Sequence, residues 1–237
     1  GTEAAPYQIS ELGHLVWMGD TVGSSADKYY SMTADIDASA TAGWNDAGTG
    51  ADVLEGFQPI GTDSYLHQDA MRFRGIFDAQ EHTISGMVIN RRTTTYVGLF
   101  GAVRQHGQVR NLGMVGIAVT GGWGVAGLVG VNYAGTVWNC YATGAVTGGT
   151  VVGGLIGYND GTVSSCYATG AVTGVDCVGG SVGYNEGAVS SCYATGAVTG
   201  GASVAGLVGY SDGTVSWCYA TGAVAGKDFF RRVVEFA

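Results

Sequence analysis

One hexapeptide, Cys-Tyr-Ala-Thr-Gly-Ala, occurs four times in this chain at a fixed spacing. The copies begin 26 residues apart, at Cys140, Cys166, Cys192 and Cys218. A Gly-rich segment precedes each copy, and a weaker fifth copy starts near Gly98, with Leu112 in the cysteine position. A repeat of this kind predicts that one structural unit is stacked on itself several times.

The residues inside each repeat favour strands over helices. Short apolar segments alternate with corners that contain Gly, such as Asn159-Asp160-Gly161 and Thr169-Gly170. Gly and Thr at this density would cost a helix roughly 0.5 to 1 kcal/mol per residue. Three strands and three corners make one coil of a parallel β-solenoid, whose coils are about 4.8 Å apart. The sequence therefore predicts an all-β parallel β-helix of about nine coils.

Alternation along a strand assigns the inner and outer side of each coil. Val163, Cys166 and Ala168 are predicted to point inward, and Tyr167 and Thr169 outward. The opposite assignment would bury four tyrosine hydroxyls and expose four thiols. It is disfavoured because buried polar groups cost free energy when they lack partners.

The charge of the chain excludes two classes of partner. The 237 residues include 10 Lys and Arg against 19 Asp and Glu, which gives a net charge of -9. That balance removes the attraction on which nucleic-acid and anionic-membrane binding depend. No apolar run reaches the roughly 18 residues that a membrane span needs, so no membrane insertion is predicted. The chain lacks a start Met and a signal-peptide pattern, so we expect a piece of a longer protein with flanking modules.

The repeats resemble a known family. A Gly-Leu-x-Gly core occurs at Gly98, Gly127, Gly154 and Gly206, followed by Asn-x-Gly-x-Val and Cys-Tyr-x-Thr-Gly patterns. These features are similar to the GLUG-motif repeats of large bacterial surface and secreted proteins, over roughly residues 57 to 226. The resemblance implies a right-handed β-helix in an adhesin-like extracellular protein, and it implies no reaction. Ser181 departs from the pattern by replacing the Leu, so its coil is expected to be softer.

The ends of a solenoid need covering because they expose strand edges and an open core. Residues 10 to 19 predict an N-terminal capping helix with Ser10 as its N-cap and Leu12, Leu15 and Val16 on one stripe. Residues 37 to 72 are long polar stretches, where a private binding surface is expected. The expected segments are 1–56 (cap and first coils with long loops), 57–110 (degenerate coils), 111–226 (regular repeats) and 227–237 (C-terminal cap or start of the next module).

A tyrosine column is the main candidate for a binding face. It consists of Tyr141, Tyr167, Tyr193 and Tyr219, all predicted to point outward. Such a ladder could bind a host or matrix glycan or a protein surface, because Tyr is an efficient contact residue. It could equally stabilise the solenoid by stacking on itself.

The cysteine column, Cys140, Cys166, Cys192 and Cys218, is expected to be a stack of buried reduced thiols. It has no CxxC spacing and no nearby His, so a zinc or iron–sulfur site is disfavoured. Neighbouring coils bring the cysteines within disulfide range, although parallel side chains suit a bridge poorly. Cys177 stands outside this column, where neighbouring coils have Val151 and Ser203, and is expected to be partly exposed.

A carboxylate column, Asp160, Glu186 and Asp212, occupies one corner of three successive coils. A calcium ion could relieve the repulsion between these side chains. Turn geometry explains them without an ion, because Asp before Gly favours a corner. No other cofactor is predicted.

Two threonine columns suggest an ice-binding surface, with Thr143, Thr169, Thr195 and Thr221 in one and Thr147, Thr173 and Thr199 in the other. Their alternative role is to bond the adjacent Gly turns, since each Thr is followed by Gly.

Catalysis has little material in the regular repeats. Residues 111 to 226 contain four charged side chains, all acidic, and no Lys, Arg or His. General acid–base pairs and activated nucleophiles therefore cannot be assembled there. A polysaccharide lyase or hydrolase site could be built only upstream, from Asp69, Arg72, Arg74 and Asp78. The chain is predicted to be a non-enzymatic extracellular or cell-surface structural and adhesive segment; a carbohydrate-binding or carbohydrate-processing module and an ice-binding solenoid are the alternatives.

Overall fold

The computed structural model describes residues 1–25, 27–44, 54–61 and 71–226. Within these residues the chain forms 27 strands, one α-helix and two short 3-10 helices. The strands pair in parallel from coil to coil and build a β-solenoid of about eight turns, against about nine predicted. The predicted C-terminal cap at residues 227–237 lies outside the described residues.

In chain order the elements are β1 (Tyr7–Ile9), α1 (Leu12–Asp20), a 3-10 helix (Val22–Ser24), β2 (Tyr29–Met32), β3 (Ile36–Asp37), a second 3-10 helix (Ser39–Gly43), β4 (Ile76–Asp78), β5 (Thr83–Ser85), β6 (Val88–Val97), β7 (Phe100–Arg104), β8 (Gln108–Arg110), β9 (Gly113–Ala126), β10 (Val129–Tyr133), β11 (Thr136–Trp138), β12 (Tyr141–Thr147), β13 (Thr150–Gly153), β14 (Ile156–Asn159), β15 (Thr162–Ser164), β16 (Tyr167–Ala168), β17 (Val172–Thr173), β18 (Asp176–Gly179), β19 (Val182–Asn185), β20 (Ala188–Ser190), β21 (Tyr193–Ala194), β22 (Val198–Thr199), β23 (Ala202–Ala205), β24 (Val208–Ser211), β25 (Thr214–Ser216), β26 (Tyr219–Ala220) and β27 (Val224–Ala225).

Three sheets run along the solenoid and enclose its core. Sheet A contains β1, β2, β4, β8, β11, β15, β20 and β25, and sheet C contains β7, β10, β14, β19 and β24. Sheet B contains the other fourteen strands. In sheet A, Val137 pairs with Val163, Val163 with Val189 and Val189 with Val215, an offset of 26 residues each time. One 26-residue repeat of the sequence therefore forms one coil of the solenoid.

The core is filled by the inward residues of each coil. Val163, Cys166 and Ala168 are almost completely buried, whereas Tyr167 is half-buried and Thr169 is exposed. The alternation of small and branched apolar residues lets neighbouring coils pack closely, and each fully buried Val contributes roughly 1.5 to 3 kcal/mol.

A buried amide ladder closes one corner of the solenoid. The Asn132 Nδ2 group donates to Asn159 Oδ1 at 2.8 Å, and Asn159 Nδ2 donates to Asn185 Oδ1 at 2.8 Å. Asn185 Nδ2 then donates to the Ser211 hydroxyl at 3.1 Å. Each bond joins one coil to the next and partners a polar group that would otherwise be buried alone. The Asn-x-Gly pattern in the sequence predicts turns at these positions but not the bonds between coils.

The N-terminal helix is present, but two details of its prediction are wrong. Helix α1 begins at Leu12, and its N-cap is Glu11 rather than Ser10, with no side-chain capping bond. The Ser10 backbone N–H instead donates to His14 Nδ1 at 3.2 Å. Leu15 and Met18 are the buried residues, whereas Val16 is 38% exposed. Leu15 and Met18 are three residues apart and therefore lie on one helical face. No helix among the described residues is long and apolar enough to cross a membrane.

Ser181 interrupts a leucine column in the core. Pairing of the adjacent strands aligns it with Leu128, Leu155 and Leu207, all of which are buried. Ser181 is completely buried, and its hydroxyl has no hydrogen-bond partner among the described residues. A buried hydroxyl without a partner costs roughly 1 to 3 kcal/mol.

Replacing Ser181 with Leu is expected to raise the free energy of unfolding by about 1 to 3 kcal/mol, because it removes the unpaired hydroxyl and restores apolar contacts. The reciprocal change, Leu155→Ser, should lower it by about 3 kcal/mol or more. Urea unfolding of both variants beside the parent measures the two effects. A destabilised Ser181→Leu variant would show that this coil has no room for the larger side chain.

Candidate functional site

The four tyrosines of the predicted binding face lie in register on sheet B, where they form a stack that we call the sheet B ladder. Ring centroids are 4.8 Å apart for Tyr141 and Tyr167, 4.8 Å for Tyr167 and Tyr193, and 5.1 Å for Tyr193 and Tyr219. The ring planes differ by 1° to 5°. Parallel strands in register hold equivalent residues one coil apart, and this geometry makes the stack.

Stacking covers the faces of the inner rings in the sheet B ladder. The ladder starts over Gly113, where a Cβ atom would lie 2.4 Å from the Tyr141 ring, so a larger residue would displace this ring from the stack. At the other end Tyr219 is 46% exposed. The described part of this ladder therefore offers ring edges and hydroxyls along its length and one open ring face at Tyr219. A sugar that packs on a ring face could use only that end.

A second tyrosine stack, which was not predicted from the sequence, lies on sheet C. We call it the sheet C ladder. It consists of Tyr158, Tyr184 and Tyr210, with centroids 5.5 and 4.9 Å apart and planes 20° and 26° apart. These residues recur every 26 positions, so the signal was present in the sequence. The hexapeptide drew attention to the other four tyrosines.

The carboxylate column lies beside the sheet C ladder. The Tyr184 hydroxyl donates to the Asp212 carboxylate at 3.0 Å, from one coil to the next. Loss of solvation and this bond together raise the pKa of Tyr184 to about 12. Loss of solvation also raises the pKa of Tyr158, and a bond to Glu186 adds to that effect. The carboxylates thus extend the neutral form of these phenols to more alkaline pH.

The same column was also a candidate for calcium. Asp160, Glu186 and Asp212 are all exposed and stand one coil apart. No group of three or more His, Cys, Asp or Glu side chains in the described ranges converges as a metal ion would require. Two of the three carboxylates bond to tyrosine hydroxyls instead.

The cysteine column is buried and its thiols are free. The backbone N–H of Cys140 donates to Cys166 Sγ at 3.4 Å, and that of Cys192 donates to Cys218 Sγ at 3.2 Å. Burial raises the pKa of Cys166 well above its usual value, and a bond with Cys166 raises the pKa of Cys192 to about 12. Thiols in this state are poor nucleophiles, because the thiolate is the reactive form.

Cys177 lies outside the column and is half-buried. Loss of solvation and the neighbouring Asp176 carboxylate raise its pKa to about 11. Its φ is 51°, and Val151 and Ser203 at the equivalent positions also have positive φ. Positions 151, 177 and 203 therefore form a corner of the backbone that accepts different side chains.

The threonine columns point outward on sheet B. Thr147 pairs with Thr173 and Thr173 with Thr199, and all three are exposed. In the other column, the Thr143 hydroxyl accepts a bond from the Gly116 backbone N–H at 2.9 Å, which belongs to the preceding coil. The alternative role predicts a bond from Thr143 to the Gly turn beside it. The observed bond instead joins Thr143 to another coil.

The predicted enzyme cluster is only partly described, because Asp69 lies outside the described residues. Asp78 accepts from Arg110 Nε and from Asn111 Nδ2, each at 2.8 Å. Partial burial raises the pKa of Asp78, but its hydrogen bonds and the Arg110 charge outweigh burial and leave the pKa below its usual value. Arg72 lies over the ring of Tyr133 at 4.4 Å. Asp78 is thus held ionised by Arg110, which is not a cluster member.

A cleft of about 860 Å³ lies between the capping helix and the coil below it. Its lining includes Asp20, Trp44, Phe57 and Arg91. Arg91 forms a largely buried ion pair with Glu55, at 2.9 Å. Trp44 and Phe57 belong to residues 37–72, where a private binding surface was expected; residues 45–53 and 62–70 of that stretch lie outside the described residues.

Comparisons with known proteins identify the repeats. The family model for the GLUG motif matches residues 121–147 and 148–173. Halomucin from Haloquadratum walsbyi is 38% identical over 159 residues, which is 66% of this chain and 2% of that protein. A protein of Evansella cellulosilytica named "Putative Gly-rich membrane protein" is 34% identical over 136 residues, covering 56% of this chain and 14% of that protein. The chain thus spans a small part of these curated relatives.

A solved structure shares the fold. The crystal structure of a "putative immunoglobulin A1 protease" from Bacteroides ovatus matches with a TM-score of 0.71, over 95% of this chain and 69% of that chain. The sequences are 24% identical, so this likeness concerns the fold alone. The family match and the stacked 26-residue coils show that the chain carries GLUG-motif repeats and folds as a β-solenoid.

Proposed function

We propose that this chain is an extended structural and adhesive segment of an extracellular or cell-surface protein. The observation that supports this most strongly is the in-register stacking of the coils, which builds length and sets equivalent side chains in straight columns. Relatives named Halomucin and "Putative Gly-rich membrane protein" are much longer than this chain, which suits a role as one segment of a large polypeptide.

The thiol chemistry suits an oxidising location. The column cysteines are about 1% exposed, and the pKa values of Cys166, Cys192 and Cys218 are raised. Oxidation and disulfide exchange require an accessible thiolate, so these four residues should persist as thiols outside the cell.

The adhesive contact in this proposal is the hydroxyl edge of the sheet B ladder, with a glycan as the ligand. The ring faces inside the stack are covered, so the ladder meets a partner through regularly spaced hydroxyls that can both donate and accept. No reaction is part of the proposal, because Asp78 and Arg72 of the expected enzyme cluster are engaged in structural contacts.

Changing both Tyr167 and Tyr193 to Phe tests this contact, because it removes two hydroxyls and keeps the ring stack. On a glycan array we expect roughly tenfold weaker binding with an unchanged melting temperature. The matched control is the double change of Tyr184 and Tyr210 to Phe in the sheet C ladder, which should leave glycan binding unaltered. Equal binding by parent and both variants would remove the sheet B ladder as the glycan site.

The exposed threonine column favours a second function, ice binding. Thr147, Thr173 and Thr199 present hydroxyls at the regular spacing of successive coils. Thermal hysteresis and ice shaping by the parent, lost in a Thr173→Val variant, would support it. Their absence from the parent protein would end this alternative.

A further inference from the structure

A continuous aromatic surface starts upstream of the sheet C ladder and includes it. Tyr96 contacts Trp123 at 5.3 Å between centroids, and Trp123 contacts Tyr158 at 6.1 Å. Tyr133 contacts Tyr158 at 6.2 Å. With Tyr184 and Tyr210 these rings form what we call the acidic aromatic strip. Each of its rings is partly accessible, and Tyr210 is 37% exposed.

The downstream part of the strip carries negative charge that no basic residue of its own coils balances. Asp160, Glu186 and Asp212 are exposed beside its rings. Asp176 is the other charged residue between positions 111 and 226, and that range contains no Lys, Arg or His. A row of carboxylates next to aromatic rings, with no basic side chain in the same coils, is complementary to a cationic ligand.

Two arginines of the protein lie at the upstream end of this surface. Arg104 pairs with Tyr133 across neighbouring strands. The guanidinium carbon of Arg72 lies 4.4 Å from the centroid of the Tyr133 ring. Pairing of Asn132 with Asn159 places Tyr133 in the same column as Asp160, at the N-terminal end of the acidic row. Guanidinium is thus the group that the molecule itself places on the strip. It also bonds carboxylates in a bidentate manner and packs flat on aromatic rings, which ammonium does less well.

We propose that the acidic aromatic strip binds an extended, arginine-containing peptide segment of a partner protein. The spacing suits such a segment. The two steps of the sheet C ladder are 5.5 and 4.9 Å long. Their combined length is close to the roughly 9 Å between residues three apart in a polyproline II chain. Two arginines three positions apart could then bond Asp160 and Asp212, the first and last carboxylates of the row, while their stems pack on the rings. The tyrosines next to the acidic row lie on sheet C, whereas the glycan contact lies on sheet B, so this proposal does not depend on the glycan contact.

Isothermal titration with the synthetic peptide Arg-Pro-Pro-Arg-Pro-Pro-Arg tests the proposal. The variant Asp160→Asn, Glu186→Gln, Asp212→Asn is expected to bind at least about tenfold more weakly than the parent, because it removes the charge and keeps the shape. The matched control is Glu3→Gln, Glu11→Gln, Asp20→Asn, which removes three carboxylates of the N-terminal cap. It should change affinity by less than about threefold, the scale of a long-range charge effect.

Replacing the peptide arginines with lysine should weaken binding by about threefold or more, since ammonium stacks poorly on rings. Melting curves of both triple variants confirm that they are folded. Equal losses in the two triple variants would show general charge attraction and overturn the proposal. So would a parent protein that does not bind the peptide at low salt. Failure here would leave the glycan result unaffected, because that experiment uses another face and another ligand.

Discussion

Ala168→Asp is expected to lower the free energy of unfolding by about 3 to 5 kcal/mol, because a carboxylate would be buried without a partner. Ala168 is 1% exposed and lies between Ala142 and Ala194 of the adjacent coils. Its Cβ also packs against the backbone of Gly154, where an added Cβ would come within 2.8 Å. Since each coil is stabilised by its neighbours, we expect several coils to unfold together.

The matched control for this variant is one residue away. Thr169 is exposed on the outer side of the same corner, so Thr169→Asp should change stability by no more than about 0.5 kcal/mol. Urea and thermal unfolding, followed by circular dichroism, measure both variants. If the two variants unfold alike, the inner and outer sides of the coil have been assigned wrongly.

The second large effect is expected from pH. Unfolded Cys and Tyr ionise near pH 8.5 and 10. In the folded chain the pKa of Cys192 rises to about 12, as do those of Tyr30 and Tyr184, and the pKa values of Cys166 and Cys218 also rise. The folded state therefore keeps protons that the unfolded chain releases. Stability from these groups is complete below about pH 8 and is lost as pH rises toward 12; the raised pKa of Cys192 alone accounts for a loss of roughly 3 kcal/mol by pH 11.

Urea midpoints at intervals from pH 7 to 11, with a reducing agent present, measure this loss. The double variant Cys166→Ala, Cys192→Ala lacks two of the titrating thiols, so its stability should fall less between pH 8 and 10. The shallower slope should persist up to about pH 12, because the folded thiols of the parent keep their protons until then, while the tyrosines add the same loss to both proteins above pH 10. Parallel curves over the whole range would show that the buried thiols do not produce the alkaline loss.

The repeat made most of the fold predictable. Four identical hexapeptides fix the coil length, and alternation around Cys166 assigns the buried side without reference to tertiary contacts. The first turns are less regular. In sheet A, Tyr30 pairs with Phe77 and Phe77 with Val109, so these turns span 47 and 32 residues. Insertions of that size hide the period, which explains the difference in the number of turns.

The contacts between columns were harder to predict than the columns themselves. In the sequence, Tyr184 is separated from the carboxylate of its own corner, Glu186, by a single residue. Its hydroxyl nevertheless bonds to Asp212 on the next coil. A single repeat predicts only a turn, because the bonded residues belong to different repeats and meet only when the coils stack. The same is true of the amide ladder, because each Asn bonds a residue of the next coil that is 26 or 27 positions away.

The constant offset of the regular coils has a consequence for how the gene could change. Since Val137, Val163, Val189 and Val215 occupy equivalent places, excising or duplicating one whole period rejoins matching surfaces. Unequal recombination between the nearly identical segments would thus shorten or lengthen the rod in discrete steps of one coil. Each product would keep its hydroxyl rows, amide bonds and buried sulfur atoms aligned, so the reach of the molecule can evolve separately from its cross-section.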